Sequence, residues 1–285
     1  MSATTSLQLH RYAGRAKFSI LFGAMAAVAI WCIGWSPYAV SNLSAFARSW
    51  VAVAITVFIA ASLSSTVGFA FSAIAAAMMF HLVPDNVQAI QIMMVASIGI
   101  QAYSVAGMYQ TISWRACTPF LIGGAATIPL GIYLLLSVRP QAYIFAIGLA
   151  LIVYGTFMLF RRPYRIETGG ALADVAVGAL GGLTGPLAAF PGAFVTIWCG
   201  MRGWNKVAQR SIYQPYILIV QILTLVGLNA VSNRTAFHPE LLIYALPGIA
   251  GAYVGLRVFH QLSDAHFQKL VNVALIASGI ALALK

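Results

Sequence analysis

The sequence predicts an all-α, polytopic helical membrane protein with one extra amino-terminal helix and two inverted repeats, each starting with a broken, re-entrant helical hairpin. Three observations predict this fold. The 285 residues are 61% hydrophobic and only 7% charged, which leaves too little polar surface for a soluble protein. Apolar runs of membrane-spanning length follow one another along the chain. Two of these runs are too long for one crossing and contain small-residue breaks at matching places in the two halves.

The extra helix is predicted within residues 1–48. A polar, basic segment (residues 1–17) precedes an apolar run at 18–40. A cleaved signal peptide is the alternative, since residues 45–47 have the small–x–small pattern of a cleavage site. However, the apolar run is longer than the roughly 7–15 residues of a typical signal peptide. We therefore expect a retained helix.

The first repeat is predicted over residues 49–165. Its long apolar run, 50–83, would make a continuous helix about 50 Å long, against a hydrocarbon core of about 30 Å. Small residues around Thr66, Val67 and Gly68 predict a break in its middle. Three membrane-crossing helices are expected to follow, at 87–108, 117–138 and 143–160.

The second repeat is predicted over residues 166–285. Its long apolar segment ends near Met201 and is expected to break at Thr184, Gly185 and Pro186. Pro186 suits the first turn of a new helix, where its missing N–H costs nothing. Three crossing helices are again expected, at 207–230, 241–259 and 267–284.

Ordered matches between the halves indicate an internal repeat. Gly68 pairs with Gly185 at a shift of 117 residues, and Gln101 pairs with Gln221 at a shift of 120. Glycine pairs 124 residues apart continue the series toward the carboxyl terminus. Because the order is kept while the shift drifts only slightly, the series predicts a duplicated unit.

Basic residues in the loops favour re-entrant hairpins and set the orientation. With the amino terminus inside and every segment crossing once, the cluster of Arg161, Arg162 and Arg165 would fall outside, against the positive-inside rule. With two re-entrant hairpins, 12 of the 16 basic residues fall at the inner side. Three crossings then remain in each half, so the halves are inverted. Irregular backbone is allowed at this depth where protein buries it or a wet cavity adjoins it.

The two breaks predict a ligand site within the membrane. A helix that starts there offers unpaired N–H groups and a partial positive charge, which suits an anion. Glycine permits close approach to the backbone, and hydroxyl groups add donors. The candidates are Ser65, Thr66 and Gly68 at the first break, and Thr184 and Gly185 at the second. The alternative is that these small residues serve only helix packing.

Polar side chains on the helices after the hairpins form a second candidate set: Gln91, Gln101, Gln214 and Gln221. A glutamine amide in hydrocarbon needs a partner or a cavity, and helix-to-helix hydrogen bonding is the alternative role. Arg210 is the candidate cation for an anionic substrate. Its alternative is to extend toward the inner surface.

Acidic residues are too few for a cation pump or a proton relay. All five lie in or beside predicted loops or span ends, which favours an anion or a neutral solute. Nucleotide-binding and hydrolase motifs are absent from the sequence, and neither histidines nor cysteines have metal-ligand spacing. We expect no catalytic residues, no metal and no cofactor. The net charge of +11 sits in short loops rather than on an aromatic-lined strip, so no nucleic-acid partner is expected.

Residues 178–186 form a glycine-rich break, and residues 64–68 form a weaker version of it. Each is followed by a short loop that enters a helix, at 204–211 and 84–91. This arrangement resembles the TauE/SafE family of sulfite-exporter-type permeases over roughly residues 50–285. The resemblance implies export or uptake of sulfite or small organosulfonates, and sometimes of other anions.

The sequence thus predicts a secondary carrier for a small anion that works by rocking one half against the other. The resemblance implies that this anion is a sulfur-containing oxyanion or an organosulfonate. A passive anion channel, an intramembrane enzyme and a non-transporting membrane scaffold remain as alternatives. The expected location is a bacterial inner membrane, with a cytoplasmic amino terminus. The expected partners are a small anionic solute and membrane lipid. A homodimer, a coupling ion and the direction of transport stay open.

Overall fold

The structure is a computed structural model that describes residues 50–83, 86–137, 140–160, 169–231 and 239–283, and these residues form helices and short connections without any strand. The extra helix predicted at 18–40 lies outside the described residues. The α-helices are α1 (Trp50–Val67), α2 (Phe71–Leu82), α3 (Asn86–Met108), α4 (Trp114–Ser137), α5 (Pro140–Phe160), α6 (Gly170–Ala188), α7 (Gly192–Met201), α8 (Lys206–Val231), α9 (Ala245–Gln261) and α10 (Asp264–Ala283). Short 3₁₀ helices precede α4 and α9, at Tyr109–Thr111 and Pro239–Tyr244.

Six of the described helices are long and apolar enough to cross a membrane: α1, α3, α4, α6, α8 and α9. Helices satisfy their backbone hydrogen bonds internally, which hydrocarbon requires of any spanning segment. This confirms the predicted class, an all-α polytopic membrane protein. The apolar runs predicted the helices of the described part close to where they occur, except at the boundary between α6 and α7.

The first break lies where the sequence predicted it. Helix α1 ends at Val67, and three residues lead to the start of α2 at Phe71. Gly68 has φ of 99°, in the left-handed region that favours glycine. A Cβ on Gly68 would also lie 2.7 Å from the Tyr213 ring, so both conformation and space require glycine at this position.

The second break begins at Ala189, so the prediction of a break at Thr184, Gly185 and Pro186 is wrong. All three residues lie inside α6, and Pro186 does not begin a new helix. A proline within a helix costs a backbone hydrogen bond, but its ring also needs space. Gly131 of α4 provides that space, since a Cβ there would lie 3.0 Å from Cγ of Pro186.

The observed breaks also change how the halves correspond. Ala189 has φ of 52°, so it matches Gly68 in conformation as well as in its place after the first arm. Phe69 then matches Phe190, at a shift of 121 residues, so the backbone conformations favour pairing Gly68 with Ala189 over the predicted pairing with Gly185. The new shift of 121 residues is closer to the shift of 120 residues between Gln101 and Gln221. The duplication itself stays a prediction.

Helices from the two predicted repeats pack against each other in exchanged pairs. Helix α1 packs on α9, while α4 packs on α6; α3 packs on α8, and α5 on α10. Glycines allow the first two pairs to approach backbone to backbone. Gly251 and Gly255 of α9 lie against carbonyls of α1, and Gly178 and Gly182 of α6 lie against carbonyls of α4. For Gly178 and Gly182, helix packing is therefore the observed role.

The arms of the two hairpins are unequal. Helices α1 and α6 have 18 and 19 residues, whereas α2 and α7 have only 12 and 10. At 1.5 Å per residue, the long arms reach about 27 Å, close to the thickness of the hydrocarbon core. Each long arm contacts its short arm across a three-residue connection. The re-entrant path and the inversion of the halves stay predictions.

Candidate functional site

Three side chains of α8 meet the carboxyl-terminal end of α1. Arg210 donates from Nη2 to the Ser65 carbonyl at 2.7 Å, and Tyr213 donates its hydroxyl to the Val67 carbonyl at 2.8 Å. Gln214 donates from Nε2 to the Gly68 carbonyl at 3.2 Å. Spacing of three and four residues puts these donors on one face of α8. They satisfy carbonyls that the last turn of a helix leaves without partners.

A fourth donor reaches the same point from α3. Gln101 donates from Nε2 to the Gly68 carbonyl at 3.4 Å, so this one oxygen accepts from glutamines of two helices. We call Ser65, Gly68, Gln101, Arg210 and Gln214 the first-tip cluster. Its four side chains are at most 2% exposed.

Arg210 is the most unusual member of the first-tip cluster. It is 1% exposed, so it does not extend to the inner surface as the alternative role required. Its guanidinium carbon lies 4.3 Å from the centre of the Phe259 ring, a cation–π contact. Among the described residues it forms no ion pair with a carboxylate, and its Nη1 has no hydrogen-bond partner. A buried charge of this kind is costly unless a counter-charge meets it.

Other polar atoms of the cluster are also unsatisfied. Within the described part of the chain, the Ser65 hydroxyl has no partner, and neither do the Oε1 atoms of Gln101 and Gln214. Buried polar groups in folded proteins are almost always hydrogen-bonded. Unsatisfied groups that gather around one helix end therefore indicate a place where a ligand or water completes the bonds.

The second break is stabilised by a hydrogen bond within its own hairpin and by close packing. The Thr184 hydroxyl lies 3.0 Å from the Leu180 carbonyl and 3.3 Å from the Phe190 carbonyl, so it bridges the break within the same hairpin. Gly185 is packed, because a Cβ there would lie 3.3 Å from Val220. These contacts are those of a packed turn.

The two tips contact each other through aromatic rings. The centroids of Phe69 and Phe190 lie 5.9 Å apart with the planes inclined at 45°. A Cβ on Gly192, the first residue of α7, would lie 3.2 Å from Cβ of Phe69. The contact between the tips is therefore apolar, and the polar groups lie to one side of it, at the end of α1.

At the end opposite its break, the second hairpin is stabilised by polar side chains from both arms. Asp174 of α6 forms an ion pair with Arg202, which follows α7, at 3.1 Å. Trp198 donates its indole N–H to the same carboxylate at 2.7 Å. Arg202 also lies over the rings of Trp198 and Trp204. These contacts join the two arms of the hairpin.

Half of the predicted site residues come together in the structure, and half do not. The five of the first-tip cluster were all predicted. Thr66 instead bonds the Gly255 carbonyl of α9 at 3.4 Å, and Gln221 donates to the Ser97 hydroxyl at 2.8 Å. Gln91 is buried on α3, while Thr184 and Gly185 lie inside α6, before the second break. Binding by any of the ten residues stays a prediction.

Two residues of the site were not among the ten candidates. Tyr213 is three positions after Arg210 on the same helix, and this spacing was the signal that could have included it. Phe259 is distant in sequence, and no local pattern linked it to Arg210. The described residues include no group of three or more His, Cys, Asp or Glu side chains that could hold a metal ion.

Comparison with known proteins gives one match. The model of the family described as Sulfite exporter TauE/SafE matches residues 52–282, which is almost the whole described part of the chain. No curated protein and no solved structure matches the chain.

Proposed function

The chain belongs to the sulfite exporter TauE/SafE family, and we propose that it is a secondary carrier for a small anion, a sulfur-containing oxyanion or an organosulfonate. As a member of this family with six helices of membrane-spanning length, it is an integral membrane protein. The substrate class and alternating access are the proposal. The first-tip cluster is its proposed binding site.

The buried cation of Arg210 is the observation that carries the proposal. Cation–π contact contributes about 2 kcal/mol when desolvated, and a charge-assisted hydrogen bond contributes about 1.5–3 kcal/mol. Burying an ion costs several kcal/mol even after the protein relaxes, and neither neutral partner removes the charge. An anionic ligand at Nη1 would supply the missing counter-charge.

The residues of the first-tip cluster come from both predicted repeats, which supports a binding site whose shape changes with the conformation of the protein. Ser65, Gly68 and Gln101 come from the first predicted repeat, and Arg210 and Gln214 come from the second. Binding groups drawn from the separate helices α1, α3 and α8 change their spacing whenever these helices move relative to one another. This suits alternating access, in which the site must open first to one side and then to the other.

The remaining expectations belong to the same proposal. We place the protein in a bacterial inner membrane with a cytoplasmic amino terminus, as the loop charges favour. The proposed units are residues 1–48, 49–165 and 166–285. The proposed partners are the small anionic solute and membrane lipid, and no catalytic step is assigned.

Anion flux into liposomes tests the proposal. Purified protein is reconstituted, and uptake of radiolabelled sulfite is measured for the wild type, Arg210→Gln and the matched control Arg257→Gln. Arg257 is an exposed arginine on α9 that contacts Tyr253. Arg210→Gln keeps a donor for the Ser65 carbonyl but removes the charge, so we expect flux to fall about 10- to 100-fold. Arg257→Gln should stay within about twofold.

The form of the flux separates the alternatives. A carrier gives saturable uptake that is accelerated by unlabelled anion on the other side, whereas a channel gives neither behaviour. Equal flux for both variants and the wild type, with all three folded by thermal unfolding, would remove Arg210 from the mechanism. Folded wild-type protein with no flux of sulfite or of any organosulfonate would favour a scaffold and end the proposal.

A further inference from the structure

In the first-tip cluster, one hydrogen-bond donor and two acceptors have no partner among the described residues. Arg210 Nη1 is a donor without a partner in the described residues, while Oε1 of Gln101 and Oε1 of Gln214 are acceptors without one. All three side chains are at least 98% buried. These orphaned groups show what a ligand must bring as well as where it binds.

The glutamine oxygens cannot exchange places with the amide nitrogens at no cost. Both Nε2 atoms donate to the Gly68 carbonyl, at 3.4 Å from Gln101 and 3.2 Å from Gln214. Turning either amide over would set an oxygen against that carbonyl, acceptor against acceptor. The Gly68 carbonyl therefore fixes both amides with Oε1 directed away from it.

We propose that the first-tip cluster selects an anion that carries its own O–H or N–H donor, and that Gln101 and Gln214 are the specificity-determining residues. This inference rests on the proposed function and deepens it. The anionic group accepts from Arg210 Nη1, and the ligand's O–H or N–H donates to one of the two Oε1 atoms. The Ser65 hydroxyl can serve either role because it both donates and accepts.

The physical reason is that leaving a buried hydrogen-bonding group without a partner costs more free energy than a formed hydrogen bond contributes. A buried acceptor left without a donor costs about 1–3 kcal/mol, and an aprotic anion would also turn its lone pairs toward these oxygens. A site built to bond a hydroxyl or amine group rejects analogues that lack it far more strongly than a site lined by apolar groups would. Monoprotonated oxyanions and hydroxy- or amino-substituted sulfonates meet the requirement, whereas alkanesulfonates do not.

Two sulfonates of equal size test this inference. 2-Hydroxyethanesulfonate carries a hydroxyl where propane-1-sulfonate carries a methyl group, so they share the anionic group and the number of non-hydrogen atoms. Affinities are measured by calorimetry on the purified full-length protein. We expect 2-hydroxyethanesulfonate to bind about 5- to 100-fold more tightly, which corresponds to one unmade bond. The double variant Gln101→Met/Gln214→Met should reduce this ratio to within about threefold.

Gln221→Met is the matched control, because Oε1 of Gln221 is equally unsatisfied in the described residues but Gln221 donates to Ser97 outside the cluster. It should keep the wild-type ratio. Each ratio is taken on one preparation, so a partly folded variant still gives an answer, and the single variants serve if the double variant does not fold.

Equal affinity of the wild type for the two sulfonates would overturn the inference and leave the proposed carrier in place. An unchanged ratio in the folded double variant would overturn the role of the two glutamines. Binding of neither sulfonate would also overturn the inference. The separate flux measurement with sulfite then decides whether the carrier function fails with it.

Discussion

In the first hairpin, the carbonyls at the end of α1 are bonded by side chains of α3 and α8, and a buried arginine lies among the donors. In the second, the break after α6 is bridged by Thr184 of the same hairpin. The two breaks share a left-handed residue, a following phenylalanine and a short second arm. The backbone plan is alike, and the chemistry differs.

The difference originates in the helices that follow the hairpins. At a shift of 120 residues, Arg210 and Gln214 of α8 correspond to Ile90 and Met94 of α3. Both of these residues pack in the apolar core that also contains Phe190. Helix α8 therefore presents a cation and an amide to the end of α1, whereas the corresponding positions of α3 pack in the apolar core. A single site, at the first tip, is what this arrangement supports.

The left-handed residues of the two breaks give the largest expected contrast in stability. Gly68→Ala should destabilise the protein by about 3 kcal/mol or more, because it adds the strain of a positive φ to a contact of 2.7 Å with Tyr213. Ala189→Gly should change stability by less than about 1 kcal/mol, since relief of strain is offset by backbone entropy. Unfolding in denaturant measures both. Equal losses of stability in the two variants would show that the two breaks are stabilised in the same way.

The ion pair of the second hairpin should matter for stability and not for binding. Asp174→Asn weakens the contacts with Arg202 and Trp198, and we expect a loss of about 1–2 kcal/mol, between the values for exposed and buried pairs. The apparent affinity for the proposed anionic substrate should stay within about twofold. A tenfold change in that affinity would mean that the second hairpin takes part in the site.

Two buried tyrosines give the comparison with the smallest expected effect on stability. Tyr213 donates to the Val67 carbonyl at the first tip, and Tyr216 donates to the Gly178 carbonyl of the second hairpin, at 2.8 and 2.7 Å. Each change to phenylalanine should cost about 1 kcal/mol of stability. Only Tyr213→Phe should also weaken anion binding, by a few-fold, because Tyr213 holds the backbone between Ser65 and Gly68. Calorimetry and unfolding on the same preparations separate the two effects.

Within the described residues, the sequence was sufficient to locate the membrane-spanning helices and the first break. Apolar runs located the helices because hydrocarbon demands an uninterrupted apolar surface, and Gly68 marked its break because its conformation favours glycine. The prediction misplaced the second break because Pro186 fits the pattern of the first turn of a helix. Its ring is tolerated through space that Gly131 leaves on another helix, and no local pattern contains that information. The better signal was the adjacent Pro191 and Gly192.

The candidate site was only half predictable for a related reason. The residue types that suit an anion were found, and Arg210 and the four glutamines were among them. Which of the glutamines converge depends on how α3 and α8 cross beside the end of α1. That crossing also decides that Arg210 faces the interior. Both follow from helix packing, to which residues far apart in sequence contribute.

The glycine contacts between exchanged helices bear on which parts of the molecule can move as units. Gly251 and Gly255 hold α9 against α1, and Gly178 and Gly182 hold α6 against α4, with no side chain between the backbones. Sliding either pair would drive carbonyls into Cα atoms, so each pair behaves as one rigid piece. Each piece combines a helix from before residue 166 with one from after it. If the protein works as the proposed carrier, each body that moves would combine helices from both predicted halves, and neither half would move as a unit of its own.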